Sequence, residues 1–459
     1  MTPAAEFDPA MLQRAGMSAG DVEAWTASAR APRETFGASR DAIGDYLTRG
    51  EDLFARLPLP ARRTQAELEA GVVLRGALGR ARDEFLGAHV DELYGQLTSD
   101  GVNHLRLEGL LYEAAELVPG LVPTRAQMEA ERALALSEKR GLELAQGLLA
   151  AHVLASRSAG RHLIEAMRRP TAEALGLLGE FRERGSVDLG PAVVTRQGSA
   201  AILELRNPRH LNAEDGSTLG PTEVAVDLML LDQETEVAVM RGGVVEHPRY
   251  AGQRVFGSGI NLTHLYRGRI DFLFYLVRDL GYVSKIYRGV VTDDGDVEKL
   301  WIAAVERYAI GGACQLLHVM DHVIATRGSR LYLPARKEGI IPGASNLRLP
   351  RFVGDRAARQ AIISGREWTA GDADAALLCD ETIEPAEMDT AIAGRIEALT
   401  SSGLVNAAAN RKALRVGQEP VEIFREYMST YAREQAVCHL SPALVRNLEQ
   451  HWDAGRREL

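Results

Sequence analysis

The chain has 459 residues, of which 46% are hydrophobic and 25% charged, and its formal net charge at pH 7 is -10. A chain of this length exceeds what one hydrophobic core organises, so we expect two or three cooperating units. The ordinary charged share excludes disorder over most of the chain, and the net negative charge argues against nucleic-acid binding through bulk electrostatics.

The cysteines and the absence of long apolar runs bear on the cellular compartment. Cys314, Cys379 and Cys438 are odd in number and widely spaced, so they form neither a disulfide framework nor a CxxC metal site. The N-terminus lacks a basic segment followed by an apolar run, and no stretch of about 18 apolar residues occurs anywhere. We therefore expect a soluble, cytoplasmic protein without a membrane partner.

The first 185 residues have helical periodicity throughout. Between Gln65 and Leu97, apolar residues recur at spacings of three and four. They are Leu68, Val72, Leu74, Leu78, Phe85, Val90 and Leu93. A second helical segment lies between Pro123 and Pro170, and three glycines are expected to bend or divide it. They are Gly141, Gly147 and Gly160. No catalytic groups gather here, which indicates a helical packing or assembly domain.

The sequence pattern changes near Gly185. Short β-rich runs (PAVVTR, AAILELR and EVAVMRGGVV) then alternate with helical stretches, which is the pattern of an α/β unit with βαβ crossovers. After Glu384 the pattern is helical again. We predict a helical N-terminal domain over residues 1–185, an α/β core over 186–384 and a helical C-terminal segment over 385–459.

Two glycine-containing strand ends are the candidate site of chemistry. They are RVFGSGINL at 254–262 and WIAAVERYAIGGACQLLHVMDHVIA at 301–325. Small residues let a ligand approach the backbone, and a helix N-terminus presents unpaired N–H groups. Two such donors facing each other form an oxyanion hole. Tight packing of a strand against a helix explains either stretch alone equally well.

Four segments in order resemble the crotonase (enoyl-CoA hydratase/isomerase) superfamily. They are LRNPRHLNAED, FGSGINL, AAVERYAIGGACQLL and LPARKEGIIPGASNLRL, within residues 190–385. The resemblance implies a spiral of ββα turns that binds an acyl-CoA thioester and assembles as a homo-oligomer, a trimer or hexamer. By position, it also implies that the oxyanion hole consists of the N–H groups of Ile260 and Gly312.

Two glutamates that hydratases of this superfamily use are absent. Their positions hold Gln315, three residues after the oxyanion glycine, and Ala335, eight residues before the glycine of Ile-Pro-Gly. Water addition needs one group that takes a proton from water and another that delivers one to carbon. Neither an amide nor a methyl does this, so an ordinary hydratase is disfavoured. The oxyanion hole would still stabilise a thioester enolate.

Further segments resemble one divergent branch, the cofactor-independent 3,5-dihydroxyphenylacetyl-CoA dioxygenases of glycopeptide-antibiotic precursor biosynthesis. They are HPRYAGQRVFGSGINL, RDLGYVSKIYRGV, ANRKALR and FREYM. The resemblance implies that 3,5-dihydroxyphenylacetyl-CoA and dioxygen are converted to 3,5-dihydroxyphenylglyoxylate and free CoA without metal, flavin or haem. The alternatives are another acyl-CoA enzyme of the superfamily, such as an isomerase or thioesterase, and a catalytically silent acyl-CoA-binding subunit.

The resemblance, together with position near the motifs, assigns roles to individual residues. The catalytic set is Ile260, Gly312 and Gln315, and the substrate-binding pair is Glu214 and Arg278. The set that borders an oxygen pocket is Ile260, Ala335, Ile340 and Ile341. The candidates for the CoA phosphates are Arg209, Arg249 and Arg254, because Arg suits bidentate phosphate contacts. Each of the last three assignments has a structural alternative. Glu214 and Arg278 could form an ordinary ion pair, the aliphatic residues could belong to core packing, and the three arginines could be solvated surface residues.

One further pattern points to a metal but is discounted. His318 and His322 are four residues apart on the helix expected after Gly312, with Asp321 beside them, and such a pair shares a helix face. A third ligand of matching geometry is not evident. We therefore expect no metal, and a buried or interface histidine pair instead.

Overall fold

The computed structural model describes residues 9–28, 35–401 and 403–457. The chain divides into two compact units. Unit 1 comprises Met1–Leu163, Tyr266–Phe272 and Met428–Val445, and unit 2 comprises Ile164–Leu265, Leu273–Tyr427 and Arg446–Leu459. Both combine segments that are distant in the chain, and the predicted division at residues 185 and 384 remains a prediction. Within the described ranges, no helix is long and apolar enough to cross a membrane.

Helices make up much of both units. The first ten are α1 Pro9–Arg14, α2 Ala19–Thr26, α3 Phe36–Ala55, α4 Gln65–Thr98, α5 Leu107–Leu117, α6 Arg125–Arg132, α7 Glu143–Ala155, α8 Arg157–Arg168, α9 Ala172–Arg184 and α10 Gly216–Leu231. The next ten are α11 Leu262–Tyr266, α12 Leu273–Arg278, α13 Ser284–Arg288, α14 Gly312–Leu317, α15 Ala335–Glu338, α16 Ser345–Arg359, α17 Met388–Thr400, α18 Leu404–Gln418, α19 Val421–His439 and α20 Pro442–Trp452.

The longest helix, α4, confirms the prediction from apolar periodicity. It begins after Thr64, whose hydroxyl accepts from the N–H of Glu67 at 3.3 Å while the Glu67 carboxylate accepts from the N–H of Thr64 at 2.7 Å. This reciprocal cap fixes the first turn. Most of the predicted apolar stripe is buried, but Leu68 and Val72 are exposed. Apolar periodicity therefore predicted the position of the helix correctly but predicted a wider buried face than the structure has.

The glycines between Pro123 and Pro170 divide that segment at one place only. Gly141, with φ +86°, lies just before α7. Gly147 lies inside α7, and a methyl group added to it would be 3.0 Å from the carbonyl oxygen of Ala432 on α19. Gly147 therefore permits two helices of unit 1 to pack closely.

Unit 2 is organised around a seven-stranded sheet. The strands of the chain are β1 Ser186–Asp188, β2 Ala192–Gln197, β3 Ala200–Leu205, β4 Val237–Gly242, β5 Val290–Thr292, β6 Gly295–Val297, β7 Leu300–Val305, β8 Tyr308–Ile310, β9 His322–Thr326, β10 Arg330–Tyr332, β11 Glu367–Thr369 and β12 Glu381–Ile383. The sheet has the order β1-β2-β3-β4-β7-β9-β12, antiparallel from β1 to β3 and parallel from β3 onward.

The parallel strands are covered on both faces, as their unbroken apolar runs require. Trp301 and Ala303 of β7 face one hydrophobic cluster, which includes residues of α10. Ile302 and Ala304 face the other cluster, which includes Met388 and further residues of α17. The alternation follows from the period of two along a strand. The predicted α/β class, with helical N-terminal and C-terminal regions, is confirmed.

A smaller three-stranded sheet, in the order β11-β10-β8, carries the second glycine segment. Strand β8 is parallel to β10 and leads into α14 through Gly311, whose N–H donates to the carbonyl oxygen of Tyr332 at 2.9 Å. The end of β8 is therefore fixed where α14 begins.

Candidate active site

The two glycine segments predicted from the sequence lie side by side in unit 2. Gly257 bridges to Ala309. Gly259 has φ +85°, and a methyl group added to it would lie 2.9 Å from the carbonyl oxygen of Ile310 and 3.3 Å from the amide nitrogen of Gly312. The positive φ and the close approach both require glycine here. The start of α14 is thus in contact with the loop that holds Ile260.

Two backbone N–H groups remain available at this contact. Glu214 N donates to Gly259 O, and Asn261 N donates to Glu214 O, both at 2.7 Å. These bonds flank Ile260 and leave its own N–H outside the ladder. Gly312 is the first residue of α14, so the helix itself offers no acceptor for its N–H. Within the described chain, neither N–H donates to another backbone oxygen. The two donors fit an oxyanion hole.

The loop before α10 is shaped by its asparagines. Asn212 has φ +55°, and its side-chain nitrogen donates to the carbonyl oxygens of Gly243 at 2.9 Å and Val255 at 2.8 Å. The side-chain nitrogen of Asn207 donates to the carbonyl oxygen of Ala213 at 2.8 Å. The Asn-Pro-x-x-x-Asn pattern therefore folds the loop that presents Glu214 beside Ile260.

Glu214, Arg278 and Gln315 form one hydrogen-bonded cluster, in which Arg278 is buried and the other two are half-buried. The Nε of Arg278 donates to both carboxylate oxygens of Glu214, at 2.9 and 3.0 Å. Its Nη1 donates to Oε1 of Gln315 at 3.0 Å, and its Nη2 donates to the carbonyl oxygen of Gly312 at 2.8 Å. The hydroxyl of Tyr282 donates to Glu214. The structure thus brings the predicted residues together and also forms the ion pair that was the structural alternative.

The electrostatics of this cluster follow from burial and charge pairing. Burial alone lowers the pKa of Arg278, but the Glu214 carboxylate opposes it, and the net pKa lies above the ordinary value. Burial raises the pKa of Asp279, and the Arg278 guanidinium only partly offsets this.

Gly343 packs closely against the same cluster. A methyl group on Gly343 would lie 2.7 Å from Oδ2 of Asp279 and would also overlap Gln315. The amide of Gln315 therefore has Arg278 as a hydrogen-bond donor and Gly343 in close contact.

The short helix α15 lies beside Gly311, the residue that precedes Gly312. A methyl group on Gly311 would lie 3.8 Å from Cδ of Pro334 and 3.8 Å from Oε1 of Glu338. Glu338 was not among the candidates from the sequence. It is 5% exposed, and burial raises its pKa to about 8. A spacing of three residues from Ala335, which places both on one helical face, was the signal that could have identified it.

Comparison with known proteins places this site in a family. The model of the enoyl-CoA hydratase/isomerase family matches residues 195–430. The chain belongs to that family. The (3,5-dihydroxyphenyl)acetyl-CoA 1,2-dioxygenase of Amycolatopsis orientalis is 45% identical over 406 residues, which cover 87% of this chain and 93% of that protein. This confirms the predicted superfamily and the resemblance to its dioxygenase branch.

Two enoyl-CoA hydratases match about half of the chain. The short-chain-enoyl-CoA hydratase of Clostridium acetobutylicum is 24% identical over 235 residues, which cover 51% of this chain and 84% of that protein. A crystal structure of an enoyl-CoA hydratase from Mycobacterium avium subsp. paratuberculosis K-10 is 19% identical, with a TM-score of 0.48, and covers 57% of this chain and 96% of that chain.

The residues predicted for the oxygen pocket differ in burial. Ile260 and Ala335 are buried, whereas Ile340 and Ile341 are half-buried. Because Pro334 lies next to Gly311, α15 begins beside the residue that precedes Gly312. The pocket itself remains a proposal.

The three arginines predicted for the CoA phosphates differ in their environment. The side chain of Arg209 is 84% exposed and lies 3.9 Å from Glu246. Arg249 is also exposed. Arg254 donates to Glu204 at 2.6 Å and to the carbonyl oxygen of Gly242 at 3.0 Å. Arg209 and Arg249 are thus accessible, while Arg254 is engaged within the family core.

The two histidines expected on one helix face do not share a helix, so that prediction was wrong. Helix α14 ends at Leu317, and His322 begins β9. Nδ1 of His318 lies 3.1 Å from Oγ of Ser345, and burial lowers its pKa to about 3. His322 pairs with Glu381 at 2.7 Å. Among the described residues, no three His, Cys, Asp or Glu side chains are grouped to hold a metal ion.

Proposed function

We propose that the protein is a cofactor-independent dioxygenase that converts (3,5-dihydroxyphenyl)acetyl-CoA and dioxygen to 3,5-dihydroxyphenylglyoxylate and free CoA. The observation that carries this proposal is the 45% identity to the Amycolatopsis dioxygenase over 87% of this chain and 93% of that protein. The site supports it, because the N–H groups of Ile260 and Gly312 have no backbone acceptor among the described residues and are available to a thioester oxygen, while Gln315 and Ala335 stand where the family resemblance places the hydratase glutamates.

The first step is formation of an enolate. The thioester oxygen accepts hydrogen bonds from the N–H groups of Ile260 and Gly312. These donors favour the negative charge that develops on the oxygen when the benzylic α-carbon loses a proton. Because the loop and the start of α14 are fixed by their own hydrogen bonds, the donors need little reorganisation during the reaction.

The second step is oxygenation. The electron-rich aryl enolate transfers an electron to dioxygen, and recombination forms a peroxide at the α-carbon. The peroxide then attacks the thioester carbonyl, which expels CoA and leaves the arylglyoxylate after the O–O bond breaks. Ile260, Ala335, Ile340 and Ile341 border the space proposed for dioxygen, where apolar side chains suit an apolar molecule.

The polar cluster is proposed to recognise the ring hydroxyls. Glu214 and Gln315 are half-buried and keep accessible surface, whereas the side chain of Arg278 is 4% exposed. This difference favours Glu214 and Gln315 as the groups that contact substrate, with Arg278 holding both in place. The amide of Gln315 moves no proton, so it would contact a ring hydroxyl or the peroxide through hydrogen bonds alone.

The remaining partners are proposed from the family and from accessible groups. Arg209 and Arg249 are exposed and suited to the CoA phosphates, with Arg254 as a weaker candidate. The family resemblance supports a homo-oligomer, either trimer or hexamer, which light scattering on the purified chain tests. All three cysteines are free thiols, which supports a reducing, cytoplasmic location.

The test uses the full chain after chelator treatment, (3,5-dihydroxyphenyl)acetyl-CoA and an oxygen electrode. Stoichiometric oxygen uptake with release of CoA and the glyoxylate is the expected result. Release of CoA without uptake would overturn the proposal in favour of a thioesterase. No reaction would favour a different acyl group or a silent acyl-CoA-binding subunit.

A further inference from the structure

The site as described so far lacks a group that takes the α-proton. Glu214 is paired with Arg278 and accepts from Tyr282, so both its charge and its oxygens are engaged. Asp279 is fully enclosed and accepts from the backbone N–H of Ala344. Neither of these carboxylates is free to act as a base.

Glu338 differs from these carboxylates in having no partner. It ends α15 and is buried, and among the described residues its carboxylate makes neither an ion pair nor a hydrogen bond. Burial is the cause of its raised pKa. A buried carboxylate without compensation costs stability. Such a cost is typical of groups retained for function, since strongly shifted carboxylates cluster at active sites.

The position of Glu338 fits proton abstraction. Its Oε1 lies 3.8 Å from the point where a Cβ of Gly311 would be, and the same point is 3.5 Å from Cα of Gly259. Gly311 directly precedes the oxyanion donor Gly312. In a bound thioester, the α-carbon is attached to the carbonyl carbon whose oxygen occupies the oxyanion hole. The carboxylate therefore lies close to the two proposed oxyanion donors, beside which the α-carbon of a bound thioester is expected.

The spacing along the chain is consistent with this position. Ala335 takes the place of a hydratase glutamate, and Glu338 follows it by three residues on the same short helix. Residues at i and i+3 share a face of a helix. Glu338 thus supplies a carboxylate on the helix face that carries the glutamate in hydratases, one turn further along. The small side chain of Ala335 leaves the space at position 335 open.

We propose that Glu338 is the general base that removes the α-proton of the bound arylacetyl-CoA. The assignment rests on the proposed function and adds a catalytic residue to it. One α-C–H bond breaks, its electron pair enters the enolate, and the proton moves to a carboxylate oxygen of Glu338.

The protons and electrons of the whole reaction then balance. When CoA leaves as a thiolate, it takes the proton that Glu338 accepted. The second α-proton leaves as the O–O bond breaks, and the regenerated carboxylate passes it to solvent. Dioxygen is the oxidant and the α-carbon is oxidised from a methylene to a ketone, so no other redox partner is required.

The environment of Glu338 suits a base that works near neutral pH. A pKa of about 8 makes it a stronger base than an ordinary carboxylate. From β10, the neighbouring titratable group is Tyr332, whose own pKa is raised by burial and, in part, by the Glu338 charge. On α15 itself, Arg336 and Lys337 are exposed. The carboxylate form predominates above about pH 8, so the rate of α-proton removal rises with pH up to that value.

The test compares the wild type, E338Q, E338D and K337Q as full chains. Lys337 is exposed on the same helix and serves as the matched control. Under anaerobic conditions in deuterated buffer, mass spectrometry follows exchange of the α-protons of (3,5-dihydroxyphenyl)acetyl-CoA, and an oxygen electrode follows turnover in air. We expect E338Q to lose about 10²–10⁴-fold in both rates while it still binds the thioester. K337Q should match the wild type.

The outcomes separate this proposal from the proposed function. If E338Q retains exchange or oxygen uptake at the wild-type rate, Glu338 is not the base, whatever the reaction is. If exchange depends on Glu338 but the wild type takes up no oxygen, the base assignment stands and the dioxygenase proposal fails. If E338Q does not fold, E338D and the wild-type pH profile decide. The assignment would be overturned if the rate of the wild type showed no ionisation near pH 8, or if E338D left that ionisation where it is in the wild type.

Discussion

The guanidinium of Arg278 donates from Nη2 to the carbonyl oxygen of Gly312 at 2.8 Å. Gly312 is the first residue of α14, and its N–H is one of the two proposed oxyanion donors. The same guanidinium binds Glu214 and Gln315. One buried cation therefore orients a backbone donor and two polar side chains together.

The first prediction concerns this cation. R278K keeps the charge, but an ammonium cannot span three acceptors as a planar guanidinium does. We expect kcat for oxygen uptake to fall by about 10²-fold, because small displacements of positioning groups cost that much, with a smaller change in KM. R241K is the matched control, since Arg241 forms a two-pronged pair with Glu306. Equal kcat values for the two variants would contradict the prediction.

The second prediction concerns the close approach at Gly259. In G259A, the added methyl meets the carbonyl oxygen of Ile310 at 2.9 Å and separates the two N–H donors. Loss of one oxyanion donor typically costs about 10²–10³ in rate, and we expect that loss in kcat. G365A is the control, because Gly365 has φ +80° but open space around it. If G259A and G365A are equally active, the oxyanion hole lies elsewhere.

The sequence predicted best where one physical rule dominates. Helix α4 was located within one residue at its C-terminal end, Leu97 against Thr98, because helical periodicity and caps are local properties. The pair of His318 and His322 was misplaced because the chain leaves α14 at Leu317 to enter β9. That change of direction is set by the parallel sheet, which local spacing does not encode.

Parts of the site depend on tertiary contacts in the same way. Ile260 and Gly312 were expected from two glycine segments and the family resemblance, and the structure brings those segments together. Glu338 was missed because the hydratase motif has its glutamate at the position of Ala335, three residues earlier. Its proximity to Gly311 becomes visible only when α15 is folded against the end of β8.

The third prediction concerns the space beside Ala335. A335E introduces a larger charged side chain at a buried position. Overpacking costs about 1–3 kcal/mol, and if that cost falls on the oxygenation step it lowers the rate by about 5–160-fold. We expect oxygen uptake to fall by that factor while binding of the CoA thioester persists. A335S, which adds a single oxygen atom, should remain close to the wild type. Full oxygen uptake by A335E would remove Ala335 from the oxygen pocket.

The fourth prediction concerns the stability of unit 2. The buried carboxylate of Glu419 accepts from Arg288 at 2.8 Å, from Arg348 at 3.0 Å and from Arg351 at 2.6 Å. E419Q removes the negative charge that these three guanidiniums share. Breaking a buried pair costs about 3–5 kcal/mol, so we expect the free energy of unfolding in urea to fall by about that amount. E397Q, at an exposed glutamate, should leave it unchanged. A loss equal to that of E397Q would contradict this account.

The pH dependence of that stability follows from the same carboxylate. Burial acts to raise the pKa of Glu419, but the larger opposite effect of Arg348 and the other guanidiniums holds the net pKa at about 2, below the ordinary value of 4.5. Because the folded pKa is depressed, the contribution is complete above pH 4.5 and is lost as the pH falls toward 2. In urea unfolding, the difference between wild type and E419Q should therefore be largest at neutral pH and shrink between pH 4.5 and 3. A difference that stays constant from pH 7 to pH 3 would show that Glu419 is not stabilised as an anion.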